Sequence, residues 1–356
     1  MSKVMLGEVC REYKGRPDDS EDLPVVGLEH LSQSDIDLLG CSHEETTFTK
    51  GFRKGHVLFG RRRAYLKKAS LAPFDGVCSG DIIVIEAIAD RLCPGLLPFV
   101  IQNDYLFDFA VENSAGSLSP RVKWKDLSRF EFDLPCMAKQ EELARLLWSA
   151  QEVKRVYSRL VSACGEIVKS RFVEMFGKGN WPESSIGDLA SDIRYGTSKK
   201  AAEEGEYTYL RMNNMTDNGR LDLSDTKRIT LIGDELDSCL VRKGDVLFNR
   251  TNSREKVGKT AVFDFDEPMV IAGYIIRVRL KPMMRSRYLS VFMNLASTKK
   301  LLRDMAKGAV HQANINAKEM AAIELPVPPI ELQDEFLSFV VQVDKSELCD
   351  EMAVAA

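Results

Sequence analysis

The sequence predicts an α+β protein of two similar domains, separated by long helices that pack as an antiparallel coiled coil. Three observations predict it. The octapeptide KGHVLFGR at 54–61 returns as KGDVLFNR at 243–250. Between the two copies a heptad pattern of apolar residues runs through 138–176. On either side of it lie short β-rich stretches broken by turn residues, such as DIIVIEAIA at 81–89 and MVIAGYIIRVRL at 269–280, while 96–111 and 288–305 read as helices.

The repeat is larger than the octapeptide. LGEV at 6–9 answers to IGDL at 186–189, and WKDLSRFEFDLPCMAKQEEL at 124–143 answers to AKEMAAIELPVPPIELQDEF at 317–336. In that last pair Lys125 and Lys318, Pro135 and Pro328, and Gln140 and Gln333 fall in register. The offset between copies grows steadily along the chain, from 180 to 193 residues, as it does when one copy has gained a few loop residues. A period of that length is too long for a solenoid, so each copy is a domain, expected at 1–135 and 179–327. Within the octapeptide Lys-Gly-x makes a turn, and Val57 to Phe59 and Val246 to Phe248 form an inner strand.

A central spacer is expected at 136–178. Its apolar residues fall at Leu143 and Leu146, Ala150 and Val153, Tyr157 and Leu160, Cys164 and Ile167, the 3,4 alternation of a coiled-coil seam. Pro135 marks its start and Phe176-Gly177 its stop. A second, shortened spacer is expected at 328–356, with Phe336, Val340 and Val343 on one face and packed antiparallel to the first.

With 356 residues, 44% hydrophobic and 29% charged, the chain can bury a sizeable core. It has no run of apolar residues long enough for a membrane span and no signal-peptide block at its start, so a cytoplasmic protein without a membrane partner is expected. Eight cysteines are scattered without a CxxC pair, which fits reduced thiols; Cys41-Ser-His43 is the nearest approach to a metal-ligand set. Catalytic signatures for nucleotide, phosphate or methyl-donor binding, for a nucleophilic serine or for a zinc protease are missing.

The net charge of −4 is segregated. Residues 51–68 carry seven Lys and Arg and no acid; residues 241–260 carry six against two acids. Both basic runs contain the octapeptide, and their side chains are of the kinds that reach base edges or phosphates in double-stranded DNA. The candidates are Arg61, Arg62, Arg63, Tyr65, Lys67 and Lys68 in the first copy. In the second they are Arg250, Asn252, Arg254, Lys256 and Lys259, joined by His311, Gln312 and Asn314, and Lys299 and Lys300 are of the phosphate-holding type.

Taken together, KGDVLFNR at 243–250, GAVHQANIN at 308–316 and ELPVPPIELQ at 324–333 leading into a helix resemble the DNA specificity subunit of type I restriction–modification enzymes. The first copy matches more loosely, with GSLSPR at 116–121 and DLPCMAKQ at 133–140. The resemblance extends over essentially the whole chain. It implies two target recognition domains reading the halves of a split DNA site, methylation subunits docked on the helical spacers, and a restriction/translocase subunit that joins them. It implies no cofactor on this chain, since S-adenosylmethionine belongs to the methylation subunit. A non-catalytic coiled-coil adaptor, or a recognition module of another DNA modification system, is the alternative that the residues leave open.

Overall fold

The computed structural model describes residues 2–16, 23–33, 35–44, 46–309 and 312–355, with the backbone alone at 309 and 346–355. It divides into two compact units, Met1–Arg155 and Val156–Ala356, so the division falls inside the central helix, Met137–Phe176.

The first unit opens and closes on one antiparallel pair, Ser2–Met5 with Glu131–Leu134. A four-stranded sheet follows the order Cys10–Glu12, Ile82–Ala87, Val57–Gly60, Ala69–Leu71. In a smaller sheet Val25–Val26 runs parallel to Gly76–Cys78, which pairs antiparallel with Lys50–Phe52. The second unit repeats these pairings and adds strands to them. Glu183–Ser185 pairs with Glu324–Pro326, and the four-stranded sheet runs Ala190–Tyr195, Ile275–Leu280, Val246–Asn249, Thr260–Val262. Its other sheet again has one parallel pair, Tyr207–Leu210 with Met269–Ile271, flanked by Leu240–Val241 on one side and by Lys227–Ile229, an additional fourth strand, on the other. The duplication expected from the octapeptide is thus a duplication of topology.

The octapeptide is a turn and a central strand in both units. Gly55 and Gly244 have φ of 89° and 92°, a region that suits a residue without Cβ. The next residue caps the turn: the Arg53 N–H donates to His56 Nδ1 (3.1 Å), and the Arg242 N–H donates to Asp245 Oδ2 (2.8 Å). Side chains then alternate across the sheet. Val57 and Phe59 pack into one core of the first unit and Leu58 into another; Val246 and Phe248 are separated from Leu247 in the same way.

Each unit holds the start of one long helix by a buried glutamine. Gln140 Oε1 accepts from the Cys93 N–H (2.8 Å), and its amide donates to the Arg91 and Pro135 carbonyls. Gln333 Oε1 accepts from the Arg285 N–H (2.9 Å), and its amide donates to the Met283 and Pro328 carbonyls. In the second unit the last turns of the central helix pack on the terminal helix, Ile330–Ala355: Phe336 stands 5.4 and 5.7 Å from Phe172 and Phe176. Further along, Asp344 shares a cleft with Val161, Cys164 and Val168, so the two helices run antiparallel.

The seam needs correction. Leu146, Val153 and Ile167 are exposed at 60%, 45% and 51%, Tyr157 and Leu160 are half-buried, and Leu143 packs only partly against the core of the first unit. The buried stripe is Gln140, Ala144 and Gln151, then Cys164, Val168, Phe172 and Phe176, where Phe336 and Val340 meet it and Val343 packs at its edge. A helix docked on a globular core buries residues near its own period of 3.6, and a strict heptad drifts away from that face.

Candidate nucleic-acid interface

In both units the octapeptide arginine directly follows the central strand and lies beside a glycine-containing segment. The Val122 N–H donates to the Arg61 carbonyl (3.0 Å) and the Ile315 N–H to the Arg250 carbonyl (2.9 Å). Gly116 and Gly308, with φ of 114° and 116°, turn these segments back. Two stretches far apart in sequence therefore meet at the same place in each fold, where main-chain hydrogen bonds fix the side chains that follow.

In the first unit three residues of the basic run, Arg62, Lys67 and Lys68, are already engaged. Arg62 and Arg121 share Asp81, with Nη1 at 3.4 Å and Nε at 2.7 Å from its carboxylate, and Arg62 also donates to Ser119 Oγ. The bond to Arg121 holds the Asp81 carboxyl below the usual range and raises the Arg121 guanidinium in return. Lys67 reaches Asp104 (2.6 Å) and Asp108 (3.5 Å), and Lys68 donates to the Leu28 carbonyl. Arg61 is half-buried, its Nε without a hydrogen-bond partner. Arg63 and Tyr65 are exposed; Arg63 and Lys67 both have left-handed backbone, φ 54° and 49°, so the run is a tight turn. An exposed ion pair such as Lys67–Asp104 is worth little and exchanges readily for a phosphate.

In the second unit Gln312–Asn314 pairs on one side with Lys307–Ala309 and on the other with Thr251–Asn252. This joins the GAVHQANIN segment to the residues that follow the octapeptide. Thr251 Oγ1 donates to Asn314 Oδ1 (2.8 Å), and the Asn252 side chain accepts from the Ser253 N–H. Arg250 lies over the Tyr195 ring at 4.8 Å, a cation–π contact that sequence inspection missed because Tyr195 belongs to a distant strand. Arg254 donates to the Arg303 carbonyl; Lys256 and Gln312 are exposed, and His311 lies outside the described residues. Lys259 is spoken for, at 2.7 Å from Asp217 and with only 12% of its side chain exposed.

Lys299 is placed differently from the expectation of a phosphate contact. Its Nζ donates to the Gly258 carbonyl (2.7 Å), tying the loop after the octapeptide to the helix Ala296–Met305, and burial pushes its ammonium down to about 8. Lys300 is exposed on that helix. Among the described residues no helix is long and apolar enough to cross a membrane, and no cluster of His, Cys, Asp and Glu could hold a metal ion.

Residues 178–350 match the family model of the type I restriction modification DNA specificity domain. Over 171 residues the chain is 26% identical to a protein of Methanocaldococcus jannaschii assigned as the type I restriction enzyme MjaX specificity subunit, a match covering 46% of this chain and 40% of that one. Over 94 residues it is 30% identical to the type I restriction enzyme EcoDI specificity subunit of Escherichia coli, covering 26% and 20%. The matched stretch thus spans less than half the length of either relative. Among solved structures, the S subunit of a type I restriction–modification system from M. genitalium aligns over 99% of this chain and 92% of its own, at 12% identity and a TM-score of 0.49.

Proposed function

We propose that the chain, whose residues 178–350 match the type I restriction modification DNA specificity domain, is a member of that family and reads a bipartite site in double-stranded DNA, one half with each unit, on behalf of partner subunits. The observation that carries the proposal is the repeated meeting of octapeptide arginine and glycine segment. It sets Arg61 to Arg63 beside the 116–121 segment in the first unit, and Arg250 to Asn252 beside the 312–315 segment in the second. Arginine suits guanine, and asparagine or glutamine suits adenine, while the lysines around them suit phosphates.

In this reading the chain itself is not catalytic. A methylation subunit brings S-adenosylmethionine and the transfer chemistry, a restriction/translocase subunit joins when cleavage is called for, and the long helices are where partners dock. The test is co-expression with a type I methylation subunit in a methylation-free host, followed by sequencing that detects modified bases. One split motif, modified only when both chains are present, is expected. Modification without this chain, or at a motif that does not change when residues 250–254 are replaced, would sink the proposal.

A further inference from the structure

The two octapeptides differ at two positions, and one of them, His56 against Asp245, sits in a polar ladder whose charges are inverted between the units. In the first unit Arg11 and His56 flank Glu86 from the two neighbouring strands. Arg11 Nε is 2.7 Å from Glu86 Oε1, and His56 Nε2 is 3.6 Å from Glu86 Oε2. In the second unit the three corresponding positions hold Asp192, Arg279 and Asp245. Asp192 lies opposite Arg279 in the register, and Arg279 Nε is 2.9 Å from Asp245 Oδ1. Asp192 also receives the buried Arg277 at 2.5 Å. Basic–acidic–histidine has become acidic–basic–acidic at equivalent sites.

The same inversion recurs where each long helix meets its unit. In the first unit the helix is the basic partner: Lys154 and Arg155 reach Asp35 and Asp37 at 2.9 and 2.5 Å, and Gln151 donates to Asp35. In the second the helix is acidic: Asp344, at the position equivalent to Gln151, lies 2.9 Å from Arg220 and 3.4 Å from Arg287.

We infer that these inverted pairs are a matching code, which lets each strand and each helix join only its own unit and refuses the near-identical segment of the other unit or of a second copy of the chain. The apolar part of the octapeptide cannot discriminate, because Val-Leu-Phe is the same in both. The polar ladder can. Moving Val246–Asn249 beside Ile82–Ala87 would set Asp245 against Glu86, and moving Cys10–Glu12 beside Ile275–Leu280 would set Arg11 against Arg279 and the buried Arg277. Docking the terminal helix on the first unit would set Asp344 against Asp35 and Asp37. Each of these exchanges brings like charges together, and edge strands of similar sequence are otherwise prone to exchange.

The test recodes the first unit to the pattern of the second, in the full chain, with Arg11→Asp, His56→Asp and Glu86→Arg together. Each unit then keeps an internally matched ladder while the difference between them is lost. Parent and variant are refolded from denaturant and sized by chromatography with light scattering. The variant is expected to form exchanged dimers and larger species in at least tenfold greater proportion than the parent. A second chain adds Asp192→Arg, Arg277→Val, Arg279→Glu and Asp245→His, which restores the difference with the signs reversed, and the excess should disappear. A triple variant that refolds like the parent overturns the inference. So does an excess that persists in the restored chain, because the defect would then be simple destabilisation.

Discussion

Arg63, a candidate DNA contact of the first unit, is exposed and held on a left-handed turn whose N–H donates to the Pro120 carbonyl. Arg63→Asn keeps a residue that tolerates this backbone while removing the charge. It should leave thermal stability unchanged and reduce the slope of log affinity against log salt by about 0.9, the share of one phosphate contact; an unaltered slope in salt-titrated binding would mean that Arg63 touches no phosphate. Lys299 makes a different prediction. Because burial lowers its pKa to about 8 from an ordinary 10.5, the folded state resists its protonation. The resulting stability is fully present above pH 10.5 and is lost as pH falls through 8. Replacing it by Met removes this penalty, so relative to the parent, Lys299→Met should gain stability as pH is lowered from 10.5 to 8 and no more below. Parallel denaturant melts across that range measure it, and a pH-independent difference would contradict the assignment.

At the scale of elements, the buried glutamines join strand, loop and helix start at one point. Gln333→Ala leaves an amide N–H and two carbonyls without partners in a closed core, and a lost buried partner costs about 1–3 kcal/mol. The variant should melt several degrees lower, and the equivalent Gln140→Ala should do the same to the first unit. These two residues were visible in the sequence, as were the octapeptide strand, the turning glycines and both helix starts, because each is fixed by a local pattern that occurs twice. What could not be read was which face of the central helix is buried. Leu146, Val153 and Ile167 satisfy a heptad as well as Ala144, Cys164 and Val168 satisfy the core, and only the docked strands and loops choose between them. The candidate site was legible in part for a similar reason. Residue types showed where cations concentrate, but Asp81, Asp104 and Asp217, which engage Arg62, Lys67 and Lys259, lie 19 to 42 positions away in sequence. Nothing local announces them.

Along the chain, two copies of one topology are joined by a continuous helix of 40 residues. If each unit reads its own half-site, the helix governs the gap between the halves. Four residues inserted between Ser158 and Arg159 add nearly one helical turn and about 6 Å. Methylated-site mapping should then return the same two half-sites with one or two more base pairs between them, whereas altered half-sites would show that the units do not read independently. The pairing of first and last strands in each unit has another outcome, which belongs to synthesis on the ribosome. Ser2–Met5 cannot find its partner until Glu131–Leu134 has emerged, so the first unit closes late in its own making but well before the second octapeptide exists. At ~5–20 residues per second, the interval from residue 134 to 243 gives it a head start of roughly five to twenty seconds. A nascent chain is therefore spared, by the clock of translation, much of the confusion between like segments, and the same chain returned from denaturant, with every segment present at once, is not.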